Sequence, residues 1–267
     1  MLLKIKIVFF NMAPSWLLIY ILNIKSNYLF KATKIENNVY KLKQEDLELF
    51  FVHPSRLFKY KRGIRYRLNE LEEKYFLSEI IFNDSDVIVD CGSNIGELPK
   101  ALRMSLKKNL TVIAIEPDPL EFYVLQKNLI KTDYSFNKFL SFETGIVQVR
   151  YENESGDTHI VTSDHDQPKG KSNIPVLAHS LDILLAPLNL KKIKLLKIEV
   201  EGSEPEVLQG AKSVLKIVDF VAVDTGPERG IKNTFDEVNS YLVNHGFKLI
   251  RKSYPYSALF QSVKYRN

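Results

Sequence analysis

From residue 87 onward the chain alternates short apolar runs with stretches of helical periodicity, and no other feature constrains its fold as much. Residues 87–89 are a β-branched run ending in Asp90, after which Leu98, Ala101, Leu102 and Leu106 recur at helical spacing. Residues 111–115 read as a second strand. Asp118-Pro119-Leu120-Glu121 then supplies an N-cap, a first-turn proline and a capping-box glutamate to a helix whose buried face is Phe122, Leu125 and Leu129. A third strand is expected around residues 139–142, a fourth at 193–200 and a fifth at 218–223. Ser203-Glu204-Pro205-Glu206 repeats the capping signal before Val207, Leu208, Ala211 and Leu215. Thr234 caps a helix carrying Phe235, Val238, Tyr241 and Leu242 that stops at Gly246, and residues 247–250 and 258–260 close the sheet as an antiparallel pair. Repeated βα units of this kind predict a mostly parallel sheet with helices on both faces, whose strand carboxyl ends border a ligand crevice.

This α/β domain is assigned to residues 86–267. Residues 36–85 read as a helical or mixed subdomain, with a polar run at Gln44, Glu45 and Asp46, a charged helix-like stretch over 69–79 and a turn at Asn83, Asp84, Ser85 and Asp86. Residues 1–35 form an apolar N-terminal segment. Its stretch 16–22, flanked by lysines, is too short to span a bilayer. It predicts either a helix packed on the domain or at a dimer contact, or peripheral membrane contact through residues 1–30.

Hydrophobic residues at 45% and charged residues at 26% are those of a soluble globular chain, which excludes wholesale disorder and a polytopic membrane protein. The net charge of +5 is too small for a dedicated nucleic-acid binder. Much of it is concentrated at Lys59, Lys61, Arg62, Arg65 and Arg67, interleaved with Phe58, Tyr60 and Tyr66. That cluster reads either as a solvated basic surface or as a site for an anionic substrate or acidic membrane face. The single cysteine, Cys91, excludes an internal disulfide and fits a cytoplasmic location, membrane-associated if the N-terminal segment attaches.

Three segments carry chemistry. Asp90-Cys91-Gly92-Ser93-Asn94-Ile95-Gly96 joins the first strand to its helix, with glycines that permit a tight turn and close backbone approach to a ligand. Its D-x-G-x-x-x-G spacing is not the G-x-G-x-x-G that seats a pyrophosphate. Glu116 ends the second strand, 26 residues after Asp90, where a carboxylate can accept both hydroxyls of a ribose. Lys197, Glu199 and Glu201 alternate onto one face of a strand expected to be buried, where ionised groups need partners or a function. His159, Asp164, His165 and Asp166 have the donors of a metal site but irregular, turn-like spacing, and are read as a solvated loop.

Taken in order, DCGSNIGE, VIAIEP, HSLDILL and LLKIEVEGSEPEVLQGA resemble the FkbM family of S-adenosylmethionine-dependent methyltransferases, over roughly residues 62–250. Glu199 stands where the family commonly has aspartate. The resemblance implies the Rossmann-like class I methyltransferase fold and S-adenosyl-L-methionine as cofactor. It implies Asp90, Gly92, Asn94 and Gly96 around the cofactor's amino-acid end, Glu116 at its ribose and Glu143 near its adenine. The expected reaction is O-methylation of a sugar, glycan, lipid or small-metabolite hydroxyl. Glu199 or Glu201 is the expected general base if burial raises its pKa, and His179 is a weaker candidate. A nicotinamide oxidoreductase and a non-catalytic nucleoside-binding module share the fold and stay open as alternatives. An amino-directed nucleic-acid methyltransferase is disfavoured, because Glu-Val-Glu-Gly stands where an Asn or Asp-Pro-Pro-aromatic run is expected.

Overall fold

The computed structural model describes residues 15–25, 29–36, 39–152, 157–160, 174–227, 233–254 and 256–264. At its centre is a seven-stranded sheet. Its strands are β4 (Val87–Cys91), β5 (Thr111–Ile115), β6 (Tyr134–Phe136), β11 (Ile193–Ile198), β12 (Val218–Asp224), β13 (Phe247–Lys252) and β14 (Ser257–Ser262), in the order β13-β14-β12-β11-β4-β5-β6. All neighbours from β12 to β6 are parallel, and β14 runs antiparallel between β12 and β13, so the terminal pair closes the sheet as its pattern predicts. The order reverses at β4 and β11, and a crevice opens at the carboxyl ends on either side of such a switch point.

The connecting helices are α3 (Glu97–Leu106), α4 (Pro119–Asn128), α5 (Leu181–Leu185), α6 (Glu204–Gln209) and α7 (Phe235–Asn244). One apolar layer, including Val89, Leu196, Val207, Leu208 and Leu242, packs on one face of the sheet; a second, including Ile88, Leu98, Leu102, Leu195 and Phe220, packs on the other. Alternate residues of each strand therefore enter opposite layers, as the period of a strand requires.

The third strand lies earlier than its sequence suggests. Asn137 donates to the carbonyls of Glu116 and Pro117, both at 2.9 Å, and turns the chain after Phe136. β7 (Phe139–Leu140) instead joins β8 (Gly145–Glu152), β9 (Asp157–Ile160) and β10 (Ile174–His179) in a separate four-stranded sheet. The hairpin-like reading of this stretch corresponds to the antiparallel β8–β9 pair. Asp164, His165 and Asp166 lie outside the described residues. Among the described residues no three His, Cys, Asp or Glu side chains group to hold a metal ion.

The N-terminal part is mixed. Helix α1 (Ser15–Lys25) precedes a three-stranded antiparallel sheet of β1 (Lys31–Glu36), β2 (Val39–Gln44) and β3 (Leu47–Val52). A 3-10 turn (Pro54–Tyr60) and helix α2 (Ile64–Lys74) follow. Leu18 and Leu22 of α1 are fully buried with Leu42, Leu49, Phe51 and Leu57, and this core takes in Ile95, Ala101 and Val124 of the central domain. At the start of α2, Gln44 Oε1 accepts from the Ile64 N–H at 2.6 Å. No helix of the described residues is long and apolar enough to cross a membrane.

Candidate active site

The turn after β4 is built by backbone conformation. Gly92 (φ 74°), Asn94 (φ 51°) and Gly96 (φ 83°) all lie in the left-handed region. A Cβ at Gly92 would stand 1.8 Å from the Glu199 carbonyl oxygen, so only glycine lets the turn pass beneath β11. The Gly92 and Ser93 N–H groups donate to the Ile115 carbonyl at 2.9 and 3.0 Å. Ser93 Oγ donates to the Asp90 carbonyl at 2.7 Å and accepts from the Ile115 N–H at 3.1 Å. The turn is thereby fixed to the end of β5, where Glu116 stands.

Glu116 is buried, and its two oxygens accept from the Asn94 N–H at 2.7 Å and the Asp118 N–H at 2.9 Å. Burial pushes its pKa up to about 7, against the pull of those two N–H groups. Glu121 lies beside it and has a different role from the capping-box residue expected. Asp118 alone caps α4, accepting from the Leu120 and Glu121 N–H groups at 2.8 and 2.9 Å. The buried Glu121 carboxylate turns inward to Asn94 Nδ2 at 2.5 Å and Arg56 Nη2 at 2.6 Å. Arg56 also donates to Asn94 Oδ1. Burial raises the Glu121 pKa well above the carboxylate range, opposed by Arg56. Sequence reasoning missed Arg56 and Glu121 as parts of this site; no local signal ties residue 56 to residue 121.

On β11 the buried charges form a chain of alternating sign across neighbouring strand ends. Lys197 Nζ reaches Asp90 Oδ1 at 3.0 Å, Glu199 Oε2 at 3.5 Å and the Gly92 carbonyl at 2.7 Å. Lys74 Nζ, at the end of α2, bridges Glu199 Oε1 and Asp224 Oδ2, each at 2.6 Å. Tyr75 donates its hydroxyl to Glu199 Oε2. Burial alone would raise the Glu199 pKa, but Lys197 and Lys74, with the bonds from Lys74 and Tyr75, hold it far below the usual carboxylate range. Burial likewise disfavours charge on Lys197, and Asp90 and Glu199 overcome it and keep its pKa above the ordinary lysine value. The raised pKa expected of a base on this strand is therefore reversed at Glu199.

Glu201 follows in the left-handed region (φ 52°), before Gly202 (φ 90°), a backbone that a non-glycine residue adopts at a cost. The turn is held by Glu204, whose Oε1 accepts from the Val200 and Gly202 N–H groups at 3.2 and 3.1 Å; Ser203 makes no side-chain cap. Asp90, Gly92, Asn94, Glu116, Glu199 and Glu201 all line one cavity of about 1080 Å³, part of it open to solvent. Gly96 lies behind the lining as the N-cap of α3, its Cα hydrogen side against Leu125. Glu143 is exposed and His179 ends β10; both lie outside the residues that line the cavity. The N-terminal part contributes Arg56, Lys59, Arg67, Leu71 and Tyr75 to the wall.

A sheet of this order, a glycine turn after its first strand and an acid at the end of its second define a class I methyltransferase. The family model of the methyltransferase FkbM domain matches residues 90–249, and the chain belongs to that family of S-adenosylmethionine-dependent methyltransferases. Membership sets aside the nicotinamide and non-catalytic alternatives. Methyltransferase sdnD of Sordaria araneosa is 25% identical over 228 residues, covering 70% of this chain and 86% of the relative. Hexuronic acid methyltransferase AglP of Haloferax volcanii is 27% identical over 169 residues, covering 60% of this chain and 65% of the relative. A crystal structure of methyltransferase FkbM from Methylobacillus flagellatus KT has a TM-score of 0.47 at 18% identity, covering 78% of this chain and 54% of that one.

Proposed function

We propose that the protein methylates a hydroxyl oxygen, on a sugar or another small or glycan-linked acceptor, with S-adenosyl-L-methionine as donor. The observation that carries this reading is one cavity with Glu116 at the end of β5 and Glu199 and Glu201 beyond the end of β11, joined by the glycine turn between them. The residues fit the cofactor. Glu116 presents a buried acceptor for ribose hydroxyls, and Asp90 Oδ2 is buried with no hydrogen bond among the described residues. When bound, the cofactor supplies a methyl group on a positively charged sulfur. The relative whose name specifies a hexuronic acid supports a sugar acceptor.

The chain's own part is alignment and proton removal, and alignment supplies much of the acceleration in a displacement of this kind. Glu201, on the cavity wall, is assigned as the base that takes the acceptor's proton. Glu199, gripped by Lys74, Lys197 and Tyr75, is a fixed anion that shapes the wall and remains ionised. Labelled S-adenosylmethionine offered with neutral sugars, uronic acids, lipids and small alcohols should mark a hydroxyl of one class. Labelling only of amines, or of none while the cofactor binds, rejects the proposal.

A second reading concerns the N-terminal segment. Tyr20, Ile24 and Leu29 are 62%, 66% and 74% exposed around α1, beside Lys31, and this face supports peripheral contact with a membrane surface. Co-sedimentation with anionic vesicles should fall in a Tyr20→Ser, Ile24→Ser, Leu29→Ser variant; equal sedimentation of variant and parent removes this reading.

A further inference from the structure

Among the described residues a second cavity lies at the carboxyl end of the sheet, beside the first. β12 ends at Asp224, β14 begins opposite it at Ser257, and β13 ends at Lys252 opposite Ala258, so the β13–β14 hairpin stands at the active-site end of the sheet. Its floor is tied to the turn that carries Glu201. Thr225 donates its N–H and its hydroxyl to the Tyr256 carbonyl at 2.8 and 2.7 Å, and its own carbonyl accepts from the Thr234 N–H at 3.3 Å. Thr234 Oγ1 donates to Glu204 Oε2 at 3.1 Å, while Glu204 Oε1 holds the Val200 and Gly202 N–H groups on either side of Glu201. Since β12 adjoins β11, this floor begins one strand spacing, about 5 Å, from the strand that leads into the Glu201 turn.

The walls have a composition that the packing of a hairpin does not require. Tyr254 is 92% exposed, so its ring adds nothing to the core, and it stands 6.0 Å from the Tyr256 ring at 43°. Lys252 Nζ lies 3.2 Å from the centre of the Phe235 ring, which fixes a cation in the same lining. Asn233 Oδ1 accepts from the Phe235 N–H at 3.2 Å and so orients its amide there, and Ser253 adds a hydroxyl. Tyrosine offers an apolar face and a polar tip, and two such rings are set here among hydroxyl, amide and ammonium groups. A sugar ring has the matching chemistry, C–H bonds on its faces and hydroxyls around its rim. A lipid chain would bury those polar groups without partners. A nucleic-acid strand needs a track of cations for its phosphates, whereas Arg251, the cation next to Lys252, is committed to Glu79 at 2.8 Å.

We propose that this second cavity is a saccharide subsite, where Tyr254 and Tyr256 hold the sugar next to the one whose hydroxyl is methylated. This rests on the hydroxyl-acceptor reading above and narrows it to an acceptor of at least two linked sugars.

The test presents the full chain to an array of neutral and uronic glycans of one to four sugars, with single-stranded oligonucleotides printed beside them. The parent should retain glycans of two or more sugars in preference to the single sugars. Tyr254→Ala should cut that preference about three- to tenfold, the size of one aromatic contact, and Tyr254→Phe should keep most of it. Lys248→Ala, an exposed change elsewhere on β13, should match the parent. Retention independent of chain length, retention of oligonucleotides alone, no retention, or an equal loss in Lys248→Ala overturns the subsite. Methyl transfer from labelled S-adenosylmethionine to the same glycans is scored separately. A labelled hydroxyl with no dependence on chain length overturns the subsite alone, whereas no labelled hydroxyl overturns the acceptor reading beneath it.

Discussion

Lys197, 3% exposed between Asp90 and Glu199, decides how the other charges of the site behave. A buried carboxylate without a cation gives up its charge, whereas one with two cations and a hydroxyl donor cannot be protonated at neutral pH. Glu199 is the second kind, which separates it from Glu201; β11 ends at Ile198, so the shared strand face expected from the sequence does not extend to either residue. Glu199→Gln should lower the melting temperature, because Lys74 and Lys197 lose their common partner, while surviving folded enzyme turns over near normally. Glu201→Gln should leave the melting temperature close to unchanged and lower turnover on the order of 10²- to 10⁴-fold, the usual scale of general base catalysis. Thermal unfolding and turnover measured on the same two proteins check both, and the reverse pattern transfers the base to Glu199. The alternating charges of residues 197–201 were legible in the sequence. Their partners Lys74 and Tyr75, more than a hundred residues upstream, were not, because no local periodicity reports a contact between a helix end and a strand end. Glu116 gives a second outcome at this scale. With its pKa near 7, it is increasingly protonated as pH falls through neutrality and ceases to accept from both ribose hydroxyls. Affinity for S-adenosylhomocysteine should therefore decline from pH 8 to pH 6, and Glu116→Gln should be weaker throughout and flatter across that range.

Among the elements, the strands of the central sheet were readable because each is a short apolar run bounded by a cap or a glycine. β6 was missed because Tyr134 is exposed and Ser135 interrupts the run, so the more apolar β7 attracted the assignment. The sheet β1–β3 escaped for a related reason. In β2, Tyr40, Leu42 and Gln44 alternate as buried residues, but lysines fill the other face, and the polar run from Gln44 to Asp46 is the hairpin turn, with Glu45 at φ 54°. Glu121 shows the limit of capping signals: sequence identifies a helix start correctly and cannot say whether the acid caps it or points elsewhere. Helix α1 is the element whose two readings differ most in consequence. Leu18 and Leu22 are fully buried in the N-terminal core, so each change to alanine should destabilise the protein by about 2 to 5 kcal/mol, a cavity left among packed neighbours. Denaturant midpoints measure this, and a loss below about 0.5 kcal/mol, the size of an ordinary surface change, would show that α1 is not docked as described.

At the scale of the whole molecule, the N-terminal part and the methyltransferase domain share both their apolar core and their charges. Ile95, Ala101 and Val124 of α3, α4 and the turn before them sit in the same cluster as Leu42, Leu57 and Leu68, and Tyr75, Leu77 and Ile80 pack with Ile88, Leu102 and Val112. Ionic contacts cross the same boundary, among them Arg56 with Glu121, Arg67 with Glu97, and Lys74 with both Glu199 and Asp224. Removing one side of such a pair leaves a buried carboxylate uncompensated, at a cost of about 3 to 5 kcal/mol where burial is complete. Net stabilities of single domains are of order 5 to 15 kcal/mol, and a chain cut at residue 86 loses the N-terminal side of this core and exposes Ala101, Leu102, Val112 and Val124 to water. A fragment of residues 86–267, the domain delimited by sequence pattern, should therefore fail to unfold cooperatively and should not bind S-adenosylhomocysteine, although it contains the whole family-matched segment. The full chain should unfold in one transition that shifts upward with ligand, by the linkage expected when only the native state binds. Calorimetric scans of chain and fragment, with and without ligand, decide the matter. A fragment with its own sharp transition and undiminished affinity would make residues before 86 a separable appendage and would remove Arg56, Lys59 and Lys74 from the working site at one stroke.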